Sequence, residues 1–189
     1  MLTKKFILAL LLFVISVGLL SCKPKTNSGS ESFSQAVSII DIYRFLYYTN
    51  RLNCENLIKD KNYIFPTVNW VKGPYTERLN KILFDNGLTL ALEEANDCDD
   101  FARSGKFAAS VAYLHDGNRI FKTALAFGEC HYIPENILDK NNNFFTEHAI
   151  NFFIVIEDFQ WKLKFYEPQT RKLIELNEVE KATILYWEL

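Results

Sequence analysis

The sequence predicts an α+β domain in which N-terminal helices pack on an antiparallel β-sheet. Two observations carry this. Apolar residues recur at helical spacing in segments up to about Leu114, and from Ile120 onward they fall into strand-like runs separated by turn residues. Helices first and hairpins afterwards describe an α+β order.

The elements follow in turn. Phe33, Val37, Ile40, Tyr43, Leu46 and Tyr47 predict a helix over 33–49, closed near Asn50. A short helix is expected around Cys54–Lys59. Residues 63–71 read as irregular or strand-like packing material around Pro66. Gly73-Pro74 marks a turn, and Pro74–Asp85 reads as a helix stopped by Asn86-Gly87. Leu88–Ala95 is a short helix leading into the next feature. Asp97 or Asn96 caps a helix that carries Phe101, Ala102, Gly105, Ala108, Ala109 and Ala112 inward and ends near His115-Asp116-Gly117-Asn118. Ile120–Phe127 is a strand and Gly128–Asn143 a loop. Phe144 or Glu147 opens a long strand through Ile156, another spans Gln160–Glu167, and a third covers Leu173–Leu176. Thr183–Leu189 closes the sheet or packs beside it.

The chain opens with two lysines and an uncharged apolar run, Phe6–Leu20, that is too short for a comfortable membrane span. Residues 1–21 therefore read as a signal peptide. Leu19-Leu20-Ser21-Cys22 resembles the lipobox of bacterial lipoproteins, which implies lipid attachment at Cys22 and a membrane anchor through it. Residues 22–32 are polar and small and form a flexible tether, leaving 33–189 as a single domain. Loss of the leader removes two lysines, so the formal charge moves from −2 to about −4. A mildly acidic chain lacks the basic footprint of a nucleic-acid binder. Lys23, following the lipidated cysteine, is not the aspartate associated with inner-membrane retention, so an outer-membrane location is expected.

Of the four cysteines, lipidation takes one and leaves three in an export compartment. Pairing of Cys54 with Cys130 would leave Cys98 free. Seven scattered glycines form no phosphate-binding loop, and no CxxC or HxxxH spacing is present, so neither a cofactor nor a metal is expected.

Cys98 lies in the first turn of its helix, where unpaired amides and the helix dipole favour a negative group. Downstream, a hairpin centred between Glu157 and Asp158 sets Ile154 opposite Trp161, Phe152 opposite Leu163, Ile150 opposite Phe165 and His148 opposite Glu167. All eight share one face, and the Cys98 helix is the expected cover for it. A carboxylate that orients an imidazole beside a thiol is an arrangement for acyl transfer. His131 follows Cys130 directly, and strand neighbours point to opposite faces, so those two form no dyad.

Asp97-Cys98-Asp99-Asp100-Phe101-Ala102, His148-Ala149-Ile150-Asn151 and Tyr166-Glu167-Pro168-Gln169-Thr170 resemble the transglutaminase-like branch of the papain-like cysteine peptidases. The resemblance implies a papain-like or transglutaminase-like core with Cys98 as nucleophile, His148 as general base and Glu167 as orienting acid. Asp97 and Gln169 then serve substrate or oxyanion contacts. The function expected is that of a lipid-anchored exported cysteine hydrolase or acyltransferase acting on a peptide or cell-wall amide. The alternative is a non-enzymatic envelope lipoprotein that uses the same fold as a binding module.

Overall fold

The computed structural model describes residues 33–50, 55–57, 60–88, 97–116, 123–135 and 147–189. The elements up to the longest helix are β1 (Val37–Ser38), α1 (Ile39–Arg44) with a widened π-helical turn over Phe45–Thr49, β2 (Glu55–Leu57), β3 (Asn62–Ile64), α2 (Val68–Trp70), a second π-helical turn over Val71–Tyr75, α3 (Thr76–Asp85) and α4 (Cys98–His115). After it come β4 (Ala124–Leu125), β5 (Phe127–Tyr132), β6 (His148–Glu157), β7 (Gln160–Glu167), β8 (Lys172–Ile174), α5 (Glu178–Ala182) and β9 (Tyr186–Glu188). The expected signal peptide, Cys22, the tether, Cys54 and the 89–95 helix lie outside the described residues.

A six-stranded sheet is ordered β2-β9-β5-β6-β7-β8, and a second sheet is ordered β1-β3-β4. Pairing is antiparallel except between β2 and β9 and between β3 and β4. Among the described residues α4 is the only helix longer than α3, and none is long and apolar enough to cross a membrane. The expected architecture of N-terminal helices packed on an antiparallel sheet is therefore corrected to a mostly-sheet body with few helices.

Local chemistry explains the differences. Ser38 caps α1 by accepting from the Asp41 amide, so the helix starts only at Ile39. The chain before it is extended: Phe33 bridges Pro66, and Val37-Ser38 pairs with Asn62-Tyr63. Residues 55–57 form a strand beside β9 rather than a helix. Thr67 Oγ1 accepts from the Trp70 amide and opens a helix at 68, ahead of the expected turn. Pro74 sits inside the π-helical turn that follows. The stop at Asn86-Gly87 matches expectation, with Gly87 at φ 72°.

Gly128, read from sequence as a loop opener, instead lies in β5. A Cβ there would fall 1.9 Å from the Glu188 carbonyl oxygen, so glycine allows β9 to approach. α5 was not anticipated, although Asn177 and Glu180 form a capping box.

The β6–β7 hairpin turns at Asp158 and Phe159, both left-handed with φ 53° and 60°. Glu157 therefore pairs with Gln160, Ile154 with Leu163 and Phe152 with Phe165. This register is two residues from the expected one. A shift of two preserves the alternation, so His148 and Glu167 stay on the same side.

The cover differs too. Ile150, Phe152 and Ile154 pack with Phe45, Leu46 and Trp187. α4 instead covers the opposite face of β6, where Phe101, Ala108 and Ala109 meet Phe153 and Val155. The small residues of α4 allow a close approach, and Asn151 fixes it. Its Nδ2 donates to the Ala102 carbonyl at 2.8 Å and to the Gly128 carbonyl at 3.2 Å, while Tyr75 Oη donates to its Oδ1 at 3.2 Å. A Cβ on Gly105 would fall 1.9 Å from Asn151 Oδ1.

Gly105→Ala should therefore cost about 1–3 kcal/mol through overpacking, and Asn151→Ala a similar amount by orphaning two carbonyls and a phenol. Urea unfolding monitored by circular dichroism checks both; unchanged midpoints would show that the seam does not depend on this fit.

Candidate functional site

The corner where α4 begins, β6 begins and β7 ends brings Cys98, His148 and Glu167 together. Asp97 caps α4 in an extended conformation and accepts from the Asp100 amide at 3.4 Å, which places Cys98 as the first helical residue. The Asn151 seam lies three residues beyond His148 and engages Ala102, four beyond Cys98. It thus holds the start of the helix against the start of the strand.

His148 Nε2 and Glu167 Oε2 are 2.5 Å apart. The two residues are diagonal neighbours in the observed register, within reach of long side chains. Glu167 is buried and also accepts from the Gln169 amide at 2.9 Å. Cys98, a half-buried free thiol, stands close enough to the imidazole to raise its pKa and donates to the Glu147 carbonyl oxygen at 3.8 Å. Tyr132 packs edge-on against the His148 ring, with centroids 5.7 Å apart.

Burial of His148 works against its charged form. Hydrogen bonds with Cys98 and Glu167, and the Glu167 charge, outweigh that cost and lift its pKa to about 9. The imidazole is therefore already protonated at neutral pH. Burial also pushes the Tyr132 phenol to about 12, so it remains a neutral donor.

The other expected site residues play different parts. Asp97 is exposed and acts as the helix cap; its carboxyl is lowered chiefly by a hydrogen bond with Asp99, whose own pKa is raised by the same contact. Asp99 also pairs with Arg103 at 2.7 Å. The Asp97, Asp99 and Asp100 carboxylates lie within 4.8 Å of one another and are the acidic group that a cation could meet here. Gln169 contributes its backbone N–H to Glu167, and its carbonyl accepts from Arg171. Cys130 is buried in the core, and His131 instead faces Glu147 at 3.4 Å. The proposed partner of Cys130, Cys54, is outside the described residues.

Sequence reasoning did not assign Asn151 and Tyr75 as the residues that position the corner. A lone asparagine within an apolar strand run, and a glycine within a helix, were the available signals.

No protein-family model matches the chain, and no curated protein matches it. Solved structures do. A complex of PSL1a with E64 aligns over 82% of this chain and 51% of its own, with TM-score 0.52 and 18% identity. Polyporus squamosus lectin bound to Neu5Aca2-6Galb1-4GlcNAc aligns over 82% and 49%, with TM-score 0.58 and 17% identity. The chain thus spans about half the length of these proteins, and at such identity the likeness is one of fold.

These neighbours correct two expectations. The transglutaminase-like or papain-like membership gives way to a fold shared with the two structures above, and with it goes the support for the cysteine hydrolase or acyltransferase reading. The three short motifs that carried the resemblance are local features, and a fold does not fix chemistry.

The His148 charge has a consequence for stability. A folded pKa raised above 6.5 contributes stability fully present below pH 6.5 and lost as pH rises through about 9. That shift corresponds to on the order of 3 kcal/mol. The melting-temperature deficit of Glu167→Gln should accordingly be largest near pH 6 and shrink by pH 10. A deficit that stays constant over this range would contradict the ion pair.

Proposed function

We propose that the chain is a lipid-anchored protein of the bacterial cell envelope, held through Cys22, that binds a partner at the Cys98–His148–Glu167 corner. The observation that carries this reading is the fold likeness to a lectin structure, joined to a corner in which the His148 ring stands 2.5 Å from a buried carboxylate and beside a thiol. Such a corner presents a fixed pattern of donors and acceptors. Hydrogen-bonding ligands are held by arrays of this kind, with a small number of placed polar groups giving orientation.

The partner proposed is a GlcNAc-containing glycan of the cell wall. The fold likeness to Polyporus squamosus lectin, which was bound to a GlcNAc-containing trisaccharide, supports that class. Imidazolium and carboxylate groups also suit pairs of sugar hydroxyls as donor and acceptor. The lipobox-like Leu19-Leu20-Ser21-Cys22 supports placement at the envelope.

Isothermal titration calorimetry of the full-length chain with GlcNAc oligomers and soluble wall fragments tests this. Saturable binding should weaken at least tenfold, about 1.4 kcal/mol, in His148→Gln. Cys98→Ser, which keeps a donor at the sulfur position, should bind within about threefold of the parent. Absence of binding, or release of cleaved product during the titration, would contradict the proposal.

A further inference from the structure

A second site lies at the junction of the π-helical turn over Val71–Tyr75 and the tight turn between β7 and β8. A cavity of about 360 Å³ there is lined by Lys72, Thr76, Tyr166, Arg171, Lys172 and Leu173. Lys72 and Arg171 bring two cations to it and no lining residue is a carboxylate; Lys172, directly opposite Glu167 in the β7–β8 register, belongs to the Glu167 face. In a chain of formal charge −2, this is a local reversal of sign. We infer that the cavity between Lys72 and Arg171 is a binding site for a phosphate group.

The cations converge through two backbone irregularities. Lys72 stands on the widened turn, where one extra residue per turn displaces side chains from ordinary helical positions. Arg171 adopts φ 57°, a left-handed conformation that glycine or asparagine takes with less strain. The side chain at that position is held in place without being neutralised. Its Nε donates to Asn80 Oδ1 at 3.0 Å, and Nη1 donates to the Gln169 carbonyl at 2.9 Å. Both acceptors are uncharged. Among the described residues Lys72, Arg171 and Lys172 form no ion pair.

The floor is fixed as well. Thr76 Oγ1 donates to the Val71 carbonyl at 2.7 Å, leaving Tyr166 Oη to donate to Thr76 at 2.9 Å. Glu167, next in the chain to Tyr166, points to the other face of β7 and is engaged by His148 and the Gln169 amide. A planar guanidinium beside an ammonium group suits an oxyanion with several acceptor oxygens, such as phosphate. The group could belong to a soluble phosphate monoester or to a phospholipid headgroup. The cavity stands apart from the Cys98 corner, and the inference does not depend on the reading given to that corner.

The test uses the full-length chain in two arms: NMR titration with inorganic phosphate and with a sugar phosphate, and co-sedimentation with phosphatidylcholine vesicles with or without phosphatidylglycerol. Saturable binding in either arm, weakened at least tenfold in Arg171→Gly and several-fold in Lys72→Gln, is the expected result. The arm that responds identifies the source of the phosphate. Arg171→Gly removes the cation while relieving the left-handed strain, so its melting temperature should hold or rise as binding falls. Lys72→Gln, at an exposed position, carries the test if Arg171→Gly folds poorly. No saturable binding in both arms, or variants that bind like the parent, would overturn the site.

Discussion

The Asn151 side chain is the constraint on which the rest of the structure depends. It stands in the middle of the sheet, fully buried, and bonds at once to a helix carbonyl, a neighbouring strand carbonyl and a tyrosine hydroxyl. A buried amide left unpaired is costly, so the helix has one position along the strand at which all these bonds form together. Gly105 supplies the clearance for it. That single registration brings the first turn of α4 to the first residue of β6, and the Cys98–His148 contact follows from it rather than from any attraction between the two side chains.

The charge on His148 is a product of the same placement. A half-buried imidazole alone would lose its proton more readily than in water. Here hydrogen bonds with Cys98 and with the buried Glu167 carboxylate 2.5 Å away reverse the balance. The result is a compact set of polar groups that largely satisfy one another, set into an edge of an apolar sheet. Three motifs spread over about seventy residues meet there, which is why they read as a peptidase signature. Two solved structures, one of them of a lectin, share the overall fold at 17–18% identity, which is a likeness of fold.

Much of this corner was legible in sequence. The Asp97 cap announces the helix, and the long strands announce the hairpin, because each signal lies within a few residues of what it specifies. The side-chain alternation placed His148 and Glu167 on a common face even though the register was two residues out. That offset came from Asp158-Phe159, a left-handed pair without glycine or asparagine to mark it. The choice of covering face was not legible. β6 is apolar on both sides, with Ile150, Phe152 and Ile154 on one and Phe153 and Val155 on the other, so alternation gives no preference. Gly128 likewise looked like a loop, because the strand that needs its bare backbone arrives sixty residues later. Lys72 and Arg171, a hundred residues apart, have no shared local signal at all.

The most direct measurement is the titration of the His148 imidazole by NMR in the intact chain. Tight placement of the helix start on the strand start, with Glu167 beside the ring, gives a midpoint near 9. A midpoint at or below the ordinary value of about 6.5 would mean that the ring is not held in this corner.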